Sequence, residues 1–305
     1  MNFRILTQLV LLGMIWGSSF MFQRITVPVI GVMPTAAGRL ALSAFVLVGA
    51  LALMRKRLNL REHWRDYFMI GLISAALPFA FFAFAAKSLP AGYSAVLNAT
   101  VPLFTVLIVW AAGTRPSVSK LVGVVVGILG VVTLARFGAL EATWMTTAAF
   151  AACLAASVLY AFNARTLSAR FKTADPLVVA AGSQLGAAIA LAPFGLYALP
   201  AQMPAFGPLA ALLALGVICT GLAYALFFRL IREAGSERAV TVTFMVPVFA
   251  QLWGALFIGE AITWASAIGC ALVLFAVALI FERVPGLRPR PVVAALPVLC
   301  ADGRR

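Results

Sequence analysis

The chain has 305 residues, 64% of them apolar and only 10% charged, with a formal charge of +14. Soluble domains run at roughly 45–50% apolar and 25% charged, so this sequence has too few charges to cover a water-exposed surface and too much apolar side chain to stay disordered. A polytopic, all-α membrane protein remains. Cys153, Cys219, Cys270 and Cys300 are far apart with no C-x-x-C, and His63 stands alone. No metal site, disulfide framework or cofactor is expected.

A helix crossing about 30 Å of hydrocarbon needs roughly 20 apolar residues. In chain order, charge-poor stretches lie at 5–23, from near Val32 to 54 with Arg39 inside, and at 67–86, 88–114 and 121–135. The second half continues with 142–164, 176–228, 239–259 and 261–281. The stretch 176–228 is long enough for two helices, and Leu199-Pro200-Ala201-Gln202-Met203-Pro204 marks a turn between them. Ten transmembrane helices are predicted. The first run is read as a retained helix and not a signal peptide: its core is too long, and Trp16-Gly17-Ser18-Ser19-Phe20 occupies the place of a cleavage site.

The basic residues alternate between connections. Arg4, Arg55, Lys56, Arg57, Arg61, Arg65, Arg115, Lys120, Arg165, Arg170, Lys172, Arg229, Arg232, Arg238 and the five arginines from Arg283 onward share one side, against Arg24, Lys87 and Arg136 on the other. By the positive-inside rule both termini are cytoplasmic. Basic loops facing anionic lipid headgroups account for the charge without nucleic acid. Residues 284–305, with Pro285, Pro289, Pro291 and Pro297, read as a flexible cytoplasmic tail; the apolar patch Val292–Cys300 within it has no assigned role.

The sequence repeats internally. With Pro102 laid on Pro247, Phe79 meets Tyr224, Phe82 meets Phe227 and Asn98 meets Thr243; after a one-residue slip Gly123 meets Gly269. Residues 1–140 and 141–283 are read as two repeats of five helices. Five is odd, so the copies insert in opposite orientations, the common architecture of secondary transporters with substrate held between the halves.

These features resemble the EamA-type branch of the drug/metabolite transporter superfamily over residues of about 5 to 282. The resemblance is carried by Trp16-Gly17-Ser18-Ser19-Phe20, Arg39, Val101-Pro102-Leu103-Phe104-Thr105, Val246-Pro247-Val248, Gly259-Glu260-Ala261-Ile262-Thr263, Gly123 and Gly269. Family members often carry an acid after the fourth helix, where this chain has Thr114-Arg115. The resemblance implies export of metabolites, with the bacterial exporters of aromatic amino acids as the nearest likeness. It also implies that Trp16 and Tyr224 face the centre.

Site candidates follow from polar and aromatic groups inside spans. Pro102 and Pro247 each remove a helical hydrogen bond, freeing the carbonyls of Asn98 and Thr243. Irregular backbone at that depth is tolerated only against protein or a wet cavity, so these are candidate kinks lining a substrate path; ordinary kinks are the equal alternative. Trp16, Phe79, Tyr160, Tyr224 and Phe227 are candidate wall residues, and Asn98, Asn163, Gln184, Thr243 and Gln251 candidate hydrogen-bonding groups. Arg39 is the one charge within a span. Pairing with Glu260 as an outer clasp and snorkelling alone are the two expectations for it.

No acid lies mid-span and no G-x-x-x-x-G-K-[ST] occurs, so neither a carboxylate proton relay nor an ATP-driven pump is expected. With no clustered catalytic groups, the chain is not expected to be an enzyme. The glycine spacing at Gly123, Gly127 and Gly130 fits internal packing or dimerisation equally; the chain is read as a monomer, with a dimer as the alternative. The expected function is alternating-access export of small amphipathic metabolites across the bacterial inner membrane, aromatic amino acids favoured. Nucleosides, cationic compounds and a channel-like facilitator are the alternatives.

Overall fold

The computed structural model describes residues 3–137, 140–170 and 175–281, and among them the regular structure is helical throughout. The tail 284–305, its apolar patch and Arg283 lie outside the described residues. Eight helices are long and apolar enough to cross a membrane: α1 (Phe3–Ile30), α2 (Val32–Leu53), α3 (Leu60–Ala85), α4 (Ala91–Ala111), α5 (Val118–Phe137), α6 (Trp144–Arg170), α7 (Pro176–Tyr197) and α8 (Phe206–Ala234). Two shorter apolar helices follow, α9 (Val246–Ile258) and α10 (Trp264–Ile280). Helix α9 is short because Pro247 sits in its first turn, and the chain before it runs as a 3-10 segment over Val240–Phe244.

Five helices overrun their charge-poor stretches: α1 and α5 do so at both ends, α3 starts at Leu60, α6 ends at Arg170 and α8 ends at Ala234. Arg and Glu are good helix formers, and at helix ends their heads reach out of the apolar layer. On α8, Arg229 Nε bonds Glu233 Oε1 one turn on, at 2.8 Å. Only Gly31 separates α1 from α2; its φ of +94° reverses the chain where a side chain would be strained. Helix α7 begins with Asp175 as cap, its carboxylate accepting from Leu177 N at 2.9 Å, and Pro176 in the first turn.

Close packing relies on small residues, because lipid gives helices no hydrophobic reason to associate. Helices α5 and α10 are antiparallel: a Cβ on Gly123 would lie 2.9 Å from Ala276 O, and one on Gly130 3.0 Å from Gly269 O. A side chain on Gly127 would run into Leu103 of α4. All three α5 glycines are thus taken up inside the chain. Helices α2 and α7 are antiparallel as well, with Ala37 beside Gly195 and Ser43 bonded to Gln184 at 3.0 Å. Helix α1 packs on α8 and α9, and α6 packs on α3 and α4. Large side chains such as Phe45, Phe206 and Leu256 point outward, as expected of helices apolar on all sides.

Candidate functional site

Local breaks in the helices shape the site. In α4 the helix stops at Asn98 and restarts at Val101, with Pro102 in the new first turn. The expected kink is therefore a full interruption. The Leu97 carbonyl accepts from Thr100 N at 3.1 Å and also from Thr100 Oγ1 at 2.6 Å and Ser157 Oγ of α6 at 2.9 Å. Ahead of α9, Thr243 Oγ1 donates to Val240 O at 2.8 Å within the 3-10 turn. Helices α3 and α8 each contain a π-helical stretch, Leu72–Ala76 and Ala214–Leu222. Each overlaps the other when Pro102 is laid on Pro247. In the second, Thr220 Oγ1 donates to Leu215 O five residues back, at 2.8 Å.

The α4 break, the 3-10 segment ahead of α9 and the second π stretch all line a cavity of ≈ 700 Å³. Trp16, Phe20, Phe79, Phe82, Tyr160 and Tyr224 supply its aromatic wall, and Asn98, Pro102, Thr220, Thr243 and Pro247 line it too. Arg39 lies on the wall, 7% exposed. Its Nε donates to Thr220 Oγ1 at 2.9 Å, and its Cζ stands 3.7 Å from the Phe79 ring centroid. Asn98 Oδ1 is buried without a hydrogen-bond partner. Among the described residues the lining cations are Arg39, Arg115 and Lys120, and no Asp or Glu lines the cavity.

The two ends of the cavity differ. At one end it reaches Thr114, Arg115, Pro116 and Lys120, beside Val240, Ile280 and Phe281. Ser119 Oγ, bonded to Leu279 O at 2.9 Å, holds these segments side by side. At the other end the last α1 residue on the wall is Gln23. Its neighbour Arg24 ties that end together, with Nε at 2.9 Å from Glu260 Oε1 and Nη1 at 2.7 Å from Ala86 O. Glu260 Oε2 in turn accepts from Ala91 N at 2.8 Å. One ion pair thus joins α1, the α3–α4 connection and the α9–α10 connection.

Arg39 and Glu260 do not pair, which corrects the expected outer clasp. Arg39 is seven residues along α2, about 10 Å from its start at 1.5 Å per residue, whereas Glu260 lies beyond the end of α9 and is held by Arg24. Snorkelling is overturned as well, since the guanidinium is buried between Phe79 and Thr220. Trp16, Phe79, Asn98, Tyr160, Tyr224, Thr243, Pro102 and Pro247 meet at the cavity. Four candidates stay off its wall. Phe227 packs against Trp16, the rings tilted by 52° with centroids 5.1 Å apart. Gln251 packs against Gly92, where any Cβ would strike it. Asn163 lies further along α6, and Gln184 is fully buried between α2 and α7. Sequence reasoning missed Gln23, Cys219 and Thr220 on the wall. It also missed Arg24 as the partner of Glu260, although both had been placed on the same side.

The model of the EamA-like transporter family matches residues 4–136 and again 146–282. The chain belongs to the EamA-like transporter family. As such it is a membrane transporter, and the two proline breaks fall one in each matched stretch. It is 28% identical over 295 residues to the uncharacterized inner membrane transporter YedA of Escherichia coli strain K12, covering 93% of this chain and 92% of that one. It is 24% identical over 276 residues to the uncharacterized transporter YoaV of Bacillus subtilis strain 168, covering 88% and 94%. A solved crystal structure superposes with a TM-score of 0.64 at 22% identity, covering 92% of this chain and 96% of that one; that likeness shows the fold alone.

Proposed function

We propose that this EamA-like chain is a ten-span secondary transporter of the bacterial inner membrane that exports small amphipathic metabolites by alternating access, amino acids and above all aromatic ones. The observation that carries the reading is a cavity bolted at one end by Arg24, Glu260 and the Ala91 amide, and continuing at the other to Arg115 and Lys120. A carrier must expose its site to one side at a time, and such asymmetry is what one of its states requires. The basic end is cytoplasmic by the positive-inside rule, so the state is open inward, ready to load an exported solute. The relative YedA is named an inner membrane transporter, which favours that membrane.

Two repeats in opposite orientations also account for the packing. Helices α5 and α10 correspond in the repeat and run antiparallel, as do α2 and α7. The aromatic wall suits a flat apolar body. Cationic solutes fit poorly, since the lining charges among the described residues are all positive. A monomer suffices for this reading, because the cavity is enclosed by one chain.

The test is flux into proteoliposomes of the pure protein across a panel of amino acids, nucleosides and cationic drugs. Saturable uptake of aromatic amino acids, accelerated by the same solute on the opposite side, is expected. Linear, non-saturating flux would mark a channel, and flux of cations alone would remove the amino-acid reading.

A further inference from the structure

We propose that Arg39 is the anion anchor of the cavity, binding the carboxylate of the exported solute, while Asn98 receives a hydrogen-bond donor from the same molecule. This deepens, and rests on, the export reading above. Arg39 is buried, and its two described partners, the Thr220 hydroxyl and the Phe79 ring, carry no charge. Among the described residues no carboxylate pairs with it. A charge at such depth is costly and is ordinarily compensated, so the site lacks one negative charge.

The geometry selects the kind of anion. Thr220 holds Nε, and Phe79 covers one face of the guanidinium. The group is therefore fixed in plane, with its two terminal nitrogens left for an incoming ligand. Paired parallel donors of this kind match the two oxygens of a carboxylate. Asn98 Oδ1, on the same wall, is a buried acceptor with nothing donating to it. An ammonium or hydroxyl on the solute satisfies it once the Asn98 side chain turns toward the cavity. The walls of Trp16, Phe20, Phe82 and Tyr160 take a flat apolar body. A carboxylate, a nearby donor and an aromatic body together describe an aromatic α-amino acid.

The packing does not require the charge. Laying Pro102 on Pro247 places Arg39 on Gln184. Gly216 of α8 packs on Arg39 and Leu42 of α2, just as Gly71 of α3 packs on Ser183 and Ala187 of α7. In the second copy a neutral amide stands at the matched position beside the corresponding helix contact. The guanidinium is an addition to that scaffold.

The experiment measures binding of four probes to the purified full-length chain: L-tryptophan, indole-3-propionate, L-tryptophanamide and tryptamine. Wild type is expected to bind the two acids at least about tenfold more tightly than the amide and the amine, the scale of one charge-assisted hydrogen-bonded pair. Arg39→Gln abolishes that preference, and Arg39→Lys keeps only part of it. Asn98→Leu weakens L-tryptophan and leaves indole-3-propionate unchanged. Equal binding of acid and amide by wild type overturns the anchor, as does a preference for tryptamine or failure to bind either acid. This comparison needs no variant, so a variant that fails to fold does not shield the proposal. Saturable flux of any solute alongside such a result leaves the export reading standing and removes only the anchor. No saturable flux for any solute removes the export reading itself.

Discussion

The two stretches that match the family model build the same scaffold and place different chemistry on it. Both carry a π-helical stretch in their third helix and a proline break in their fourth, and both seat a glycine of that third helix against a neighbour. At one matched position the first stretch has Arg39 over Phe79, and the second has Gln184, which accepts from Ser43 and contacts the Tyr224 hydroxyl. The cation faces the cavity and the amide is sealed between helices. Duplication explains why the helices fit; the differences at equivalent positions are what give the cavity a direction and a charge.

The comparison is broken most severely at its glycines. A side chain on Gly71 would run into the Ser183 carbonyl and the Ala187 amide, both backbone, whereas one on Gly216 first meets the side chain of Leu42. Gly216→Ala is expected to cost about 1–3 kcal/mol, the usual range for overpacking, and Gly71→Ala more. Thermal unfolding in detergent ranks the pair, and the reverse order would show that backbone contact is not what sets the cost. Gly49, with open space around its Cβ position, is the neutral control.

Next in size is the bolt. Glu260→Gln or Arg24→Gln removes a pair whose side chains are 13% and 29% exposed, each bonded to backbone as well. Opening of that end is expected, on the order of 1.5–3 kcal/mol for a charged hydrogen bond. With Thr105→Cys on the cavity wall in a cysteine-free background, an impermeant maleimide applied to the Glu260 face should react several-fold faster in either variant. Unchanged labelling would mean that the ion pair is not what closes this end.

A smaller effect is expected at Gln184→Leu. Ser43 keeps its bond to the Leu40 carbonyl at 3.0 Å, so the loss is about 1 kcal/mol, with substrate affinity retained because Gln184 is off the cavity wall. A loss of affinity matching that of Arg39→Gln would erase the distinction between the two copies.

The smallest effect lies at the surface. Burial pushes the Asp175 carboxyl up, but Lys56 and the Leu177 and Val178 amides outweigh it and hold it below the usual carboxylate range. A lowered carboxylate contributes stability above its unfolded pKa of about 3.9 and loses it as pH falls through the folded value. Asp175→Asn keeps a good cap and removes the pair with Lys56. Its cost should stay under about 1 kcal/mol at neutral pH, since the carboxylate is 38% exposed. The acid-side fall in melting temperature should flatten, and an unchanged slope would show that this pair does not set it.

Much of the architecture was open to inspection in the sequence because the bilayer leaves few options. Backbone groups must be satisfied within each span, so charge-free runs mark helices, and the Leu199–Pro204 turn signal fell between α7 and α8. Most of the candidates named from the sequence line the cavity for a similar reason, since polar and aromatic groups inside a span have few places to go. The errors cluster where partners had to be chosen. Sign and estimated depth pair Arg39 with Glu260, and they fit Arg24 equally well. Phe227 and Gln251 have the chemistry of a cavity wall but point behind it.

Composition and spacing by themselves determined that this chain is helical, membrane-borne and internally repeated, because hydrocarbon selects for run length and charge position, which are one-dimensional properties. Only the tertiary structure decided which cation meets which acid, which side of each helix faces the cavity and where the ladder loosens into π turns. Those depend on helix rotation and on contacts between residues far apart in the chain, such as Arg39 with Thr220 and Arg24 with Glu260. In helices apolar on every side, no hydrophobic pattern records that rotation.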